Sequence, residues 1–151
     1  MTAPTAIHAM VERCRAGDYP SVLLRLRSGW AIMGERQVLT GYCLLLPDPV
    51  VPHLNALPSD SRGQFLSDMA LVGDALMTVT AATRINYALF GNVEPALHAH
   101  IFPRHASEPE DTRSVQPWAL DWTAAPGYSD ALHGELKRRL AADIGGRLKD
   151  A

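Results

Sequence analysis

Cysteine is scarce in this chain: Cys14 and Cys43 are the only two in 151 residues, and they lack the CxxC spacing of a redox or metal pair. They read as buried thiols of a reducing compartment, which implies a cytoplasmic setting. An excess of positive charge is also lacking. The formal net charge is −2, so there is no broad basic footprint for nucleic acid, although a few local donors suffice for a small phosphate-bearing ligand. No apolar run reaches the roughly 18 residues that a membrane span needs. The opening "MTAPTAIHAM" has neither a basic n-region nor a compact apolar h-region, so no secretory leader is expected. Internal repeats and low-complexity tracts are absent too. What remains, 47% apolar and 20% charged residues, is the composition of one soluble domain large enough to bury a core.

The pattern of that domain changes period along the chain. Ile7, Met10, Val11 and Cys14 recur at helical spacing over residues 5–16, with Thr5 to cap the start and Gly17 to end it. Strand-like runs follow at "SVLLRLR" (21–27), "WAIMG" (30–34) and "GYCLLLP" (41–47), before a connection interrupted by four prolines. Ser61 and Gln64 have capping-box spacing, and Phe65, Met69, Val72, Leu76 and Val79 advance as one helical stripe whose ordinary role is core packing. The strand pattern returns in "RINYALF" and "ALHAHIFP", joined by "GNVEP". Leu132, Leu136, Leu140 and Ile144 then predict a helix over 129–144, capped by Ser129 and stopped by Gly145. Helix, meander, helix, hairpin and helix add up to an α+β domain with an antiparallel sheet of about five strands and flanking helices. The stretch "HASEPEDTRSVQPWALDWTAAPGY" has little regular pattern; its tryptophans suit a lid or a contact with a second subunit.

The hairpin carries the chemistry. Strand alternation puts Leu97, Ala99 and Ile101 on one face and Ala96, His98, His100 and Phe102 on the other. Pairing the apolar sets brings Asn86 to the histidine face, opposite His100 if Ala88 lies opposite His98. Three interpretations compete for this pair of imidazoles. They are half-exposed strand residues bonded to backbone or water, or two ligands of a metal, or working groups of an enzyme. Zinc usually takes at least three protein ligands, and no third is evident. A neutral imidazole is a competent nucleophile near pH 7. His8 and His133 are expected on helix surfaces, and His53 in a loop.

At these residues the chain resembles a known family. "NYALFGNVEPALHAHIFPR" is similar to the signature region of the histidine triad (HIT) superfamily, in which alternate positions of a strand carry His-x-His-x-His. The "PALHAHIFPR" ending resembles the P-H-L-H-x-H-x-x-P-R form of dinucleoside-polyphosphate-hydrolase-like members, and the upstream "GYCLLLPDP" and helix follow the same order. On that alignment the first triad position falls at Ala96, the middle one at His98 and the third at His100. The chain also departs from the family in having only "GNVEP" where many members have a Gly-Gln-Ser-type phosphate segment, and "PDPV" where the family often reads "PKRH".

The resemblance implies a single HIT-like domain over 1–151, with a core of about 21–105 and a C-terminal loop and helix, 106–148, packing on that core or on a partner subunit. It implies a homodimer that binds a small-molecule nucleotide, with no cofactor and no metal. Activity would be two displacements at the α-phosphate of a nucleoside phosphoramidate or dinucleoside polyphosphate. His98 would form a nucleotidyl-histidine that water then hydrolyses, and His100 would assist the oxygens or the leaving group. Asn86, Asn92 and Arg104 would bind substrate. The alternative is a catalytically weak or inactive nucleotide-binding protein.

Overall fold

The computed structural model describes residues 3–151; Met1 and Thr2, which begin the stretch weighed as a leader, lie outside the described residues. The first helix, α1 (Ala6–Ala16), starts at a capping box in which the Thr5 side chain accepts from His8 N–H and the His8 ring accepts from Thr5 N–H; it ends at Gly17 in the left-handed region. Three strands follow, β1 (Val22–Arg25), β2 (Gly29–Met33) and β3 (Cys43–Pro47). Helix α2 (Ser59–Thr80) then crosses to the hairpin strands β4 (Arg84–Ala88) and β5 (Ala99–Arg104). A short α3 (Glu110–Arg113) and the long α4 (Asp130–Asp150) complete the chain.

The strands form one five-stranded antiparallel sheet in the order β1-β2-β3-β5-β4. The α+β expectation of about five antiparallel strands is met. Against one face lie α2 and α4, whose Phe65, Val72, Leu76, Leu140 and Ile144 cover Cys43, Leu45, Ala99 and Ile101 in a dry core. Against the other lies α1, with Ile7 and Val11 in a cluster that holds Tyr42, Ala96 and Phe102. No helix among the described residues is long and apolar enough to cross a membrane.

Three local expectations need correction. Helix α2 begins at Ser59 behind Pro58, whose fixed φ sets the entry, so Ser61 and Gln64 make no capping box. Gln64 instead donates to Asp68, whose other oxygen accepts from the Ser28 backbone and hydroxyl. Gly145 does not stop α4. A helical glycine costs only about 1 kcal/mol, and Arg147 ties the following turn to Asp143 at 2.6 Å and to the Thr78 hydroxyl on α2 at 2.8 Å. His133 is buried rather than surface-exposed, because its ring stacks on Tyr128 and its Nδ1 accepts from Ser129 N–H.

Candidate functional site

The two faces of β5 divide as strand alternation requires: Leu97, Ala99 and Ile101 belong to the core cluster, Ala96 and Phe102 to the opposite one. The register differs from the expected one by two residues. Ala88 lies opposite His100 and Asn86 opposite Phe102. A two-residue slip preserves the faces, so the histidine face survives while its neighbours change. The shift follows from a longer connection. Residues 89–98 leave the ladder because Ala96 N–H bonds to the Glu94 carbonyl and Leu97 N–H to the Val51 carbonyl. His98 therefore precedes β5 rather than lying within it. Glu94 also accepts from Ala6 N–H at 2.8 Å, anchoring this loop to the start of α1.

His98 is 9% exposed, and its Nδ1 lies 2.7 Å from the Ala96 carbonyl oxygen. A carbonyl only accepts, so Nδ1 carries the hydrogen, and in the neutral ring Nε2 holds the free lone pair. His100 stands beside it, ring centroids 4.8 Å apart and planes 73° apart. Its Nδ1 lies 2.6 Å from the Tyr42 hydroxyl. Burial pushes the Tyr42 phenol up, so it is protonated at neutral pH. The assignment that leaves no buried O–H unpartnered has Tyr42 donating to His100 Nδ1, which makes Nε2–H the donor of His100. Burial first, and the neighbouring His98 second, push His100 down to about 4, so its ring is neutral at pH 7.

Aromatic side chains hold this pair. Tyr42 stacks on Phe102 with centroids 4.3 Å apart, and Trp118 meets the His100 ring edge-on at 4.9 Å. The long segment after β5 thus folds back over the histidine face of its own sheet. It is anchored by Arg104, which is 7% exposed. Nε–H donates to Glu108, Nη1 to the Asn86 side-chain oxygen and the Val115 carbonyl, and Nη2 to Glu108 and the Thr112 carbonyl. Every guanidinium N–H then has an acceptor. As a phosphate ligand Arg104 would have to surrender one of them.

Other expected residues scatter. Asn86 is on the histidine face but bonded to Arg104, and Asn92 is exposed in the loop before Pro95. Space against His98 is small, a cavity of about 30 Å³ that His53 and Phe90 also line. Among the described residues no three His, Cys, Asp or Glu side chains are grouped to hold a metal. Both thiols are pushed up by burial, Cys14 to about 11, so neither is a ready nucleophile. Tyr42 had not been expected at the site, and Trp118 only as part of a lid or a subunit contact. The parity of Tyr42, Leu44 and Leu46 against Cys43 and Leu45 carries the signal for the first; for the second the signal was the tryptophan-bearing irregular stretch that suited a lid or a subunit contact.

A five-stranded antiparallel sheet carrying two adjacent imidazoles on its polar face defines a class of histidine-bearing α+β proteins. Residues 22–107, more than half the chain, match the HIT domain family, and the chain belongs to it. Solved structures share the fold. A histidine triad protein of Marinobacter aquaeolei VT8 is 18% identical with a TM-score of 0.72, over 89% of this chain and 94% of that one. A hypothetical histidine triad nucleotide-binding protein of Sulfolobus tokodaii is 14% identical with a TM-score of 0.71, over 91% and 92%. A zinc-bound histidine triad family protein of Mycobacterium smegmatis is 16% identical with a TM-score of 0.63, over 87% and 91%. No curated protein matches the chain.

Proposed function

We propose that this protein is a nucleotide hydrolase or nucleotidyl transferase of the dinucleoside-polyphosphate-hydrolase-like branch, acting at an α-phosphate with His98 as nucleophile. The supporting observation is the bond from His98 Nδ1 to the Ala96 carbonyl, which in the neutral ring leaves the Nε2 lone pair free and, among the described residues, without a protein partner. Nε2 attacks the α-phosphorus, an N–P bond forms, and the bond to the leaving group breaks. Water then attacks the same phosphorus, the N–P bond breaks, and the nucleoside monophosphate departs while its surplus proton goes to solvent. His100, neutral and donating through Nε2–H, stabilises a non-bridging oxygen by a hydrogen bond, and the leaving group takes any proton it needs from solvent. In this mechanism Ala96 holds the first triad position, and its backbone supplies what His98 needs. Asn86 offers its amide N–H to substrate oxygens and Asn92 is the loop donor, while Arg104 acts by holding Asn86 and the Trp118 segment in place. The open edge of β4 and the exposed Tyr87, Phe90 and Trp118 beside it suit a homodimer.

A second reading, a binder without turnover, draws on the cavity of about 30 Å³ against His98. That space admits a water and not a phosphate, so Phe90, which lines it, must move before chemistry begins. Intact mass after quenched incubation with adenosine phosphoramidate or a diadenosine polyphosphate separates the two. A nucleotidyl adduct on the wild type, absent from His98→Ala, together with AMP release, is the expected result. Saturable AMP binding with neither adduct nor release would leave only the binder.

A further inference from the structure

Two tyrosines beside the outer strand β1 are built alike. Tyr128 donates its hydroxyl to Asp130 at 2.7 Å, and Lys137 stands over the Tyr128 ring at 5.9 Å and 3.5 Å from the same carboxylate oxygen. Ring, carboxylate and cation close on one another. Tyr19 donates its hydroxyl to Glu35 at 3.0 Å, and Arg13 stands over the Tyr19 ring at 4.9 Å. Here the pattern breaks, because Arg13 pairs with Asp18 at 3.2 Å and also donates to the Asp18 carbonyl. Among the described residues Glu35 therefore has no ion pair. Both units line one open cavity of about 500 Å³, an ordinary volume for a small-molecule site. Ser21 lines it too. It is 3% exposed, and its hydroxyl has no hydrogen-bond partner. A buried hydroxyl left unpartnered is uncommon in a folded protein, and here it stands beside a carboxylate that lacks its cation.

We infer that this cavity binds a small organic ammonium ion, a primary amine with a short apolar or aromatic body. Its charge does at Glu35 what Lys137 does at Asp130. One of its three N–H groups donates to the Ser21 hydroxyl, and its body lies against the tyrosine rings, whose faces attract cations. A carboxylate or phosphate ligand finds no free cation there, since Arg13 is matched by Asp18 and Lys137 by Asp130. The site goes beyond the nucleotidyl-transfer reading and does not rest on it. Strand β1 is three places from β5 in the sheet, about 14 Å at the interstrand spacing, so the amine does not touch His100. The cavity also lies at the sheet edge opposite β4.

The test is calorimetric titration of the full-length protein with 2-phenylethylammonium, with the neutral 2-phenylethanol and with the anionic phenylacetate. Glu35→Gln and Ser21→Ala are titrated beside the wild type, with melting curves to show that each is folded, and His98→Ala serves as the control at the other site. The expected result is saturable binding of the amine, about tenfold or more tighter than the alcohol, with no binding of the acid. Glu35→Gln should remove most of that preference. Ser21→Ala should weaken the amine by about threefold, and His98→Ala should leave it unchanged. No saturable amine binding overturns the inference, and so does an alcohol or acid that binds as tightly as the amine. An affinity unchanged in folded Glu35→Gln also overturns it. Loss of amine binding in His98→Ala would place the amine at the imidazoles and overturn it as well.

Discussion

The two faces of the sheet use the same strand for different ends. Towards α2 and α4, β5 presents Ala99 and Ile101, fully buried among aliphatic side chains and Phe65. The polar intruder there, Asp68, has its oxygens taken by Ser28 and Gln64. Towards α1, β5 presents His100 and Phe102 among Tyr42, Trp118 and Trp122. Those rings carry polar tips, and several are partly exposed. One face is closed and apolar, and its content is stability. The other is aromatic and hydrogen-bonded, and its content is the orientation and protonation of two imidazoles.

Substitutions should separate the faces, beginning with the largest effect. Phe65→Ala on the closed face should lower unfolding free energy by about 3–5 kcal/mol, read from urea midpoints; a loss below about 1 kcal/mol would mean that this face is not the stabilising one. Glu108→Gln on the open face should come next. It leaves the buried Arg104 guanidinium without its counter-charge, a loss of about 3 kcal/mol, and it should loosen the Trp118 segment as seen in its fluorescence. Both partners are close to 90% buried, so a negligible change would show that the segment is held by its backbone bonds alone.

His100 supplies the third difference. Its ring takes up a proton near pH 4 in the folded protein and near 6.5 in the unfolded chain. The unfolded state therefore binds the proton first as pH falls. Stability is complete above about 6.5 and is lost towards 4, on the order of 2–3 kcal/mol in all. His100→Asn should flatten that part of the pH profile, while Phe65→Ala should leave its shape unchanged. The smallest effect is that of Tyr42→Phe, which removes one buried hydrogen bond worth about 1 kcal/mol. It should also raise the pH at which the His100 ring titrates by NMR, since the lost bond favoured the neutral ring. A stability loss with no shift in titration would refute the assignment of Tyr42 as the donor.

Sequence alternation was enough to assign the faces, because side-chain period in a strand is a local property. Register was not legible. Whether Asn86 meets His100 or Phe102 depends on where residues 89–98 leave the ladder, and that is decided by backbone bonds to Val51 and Glu94. The use of Arg104 was hidden for a related reason: its acceptors include carbonyls of residues 112–115, whose positions exist only once the segment has folded. Helix ends misled where a single residue type stood for a cap. Gly145 is overridden by Arg147 bonding across to α2, and Ser61 by the preceding Pro58.

The small side chain at position 96 has a packing consequence. Ala96 is 1% exposed and shares its cluster with Ile7, Val11 and Phe102. An imidazole introduced there would overfill the seam between sheet and α1, at a cost of about 1–3 kcal/mol. Meanwhile the carbonyl that orients His98 belongs to the main chain and is indifferent to the residue that bears it. A larger residue at position 96 therefore requires α1 to be reshaped, and it adds nothing to the main-chain bond that orients His98. Ala96→His fits this seam only together with a smaller residue at Ile7 or Val11.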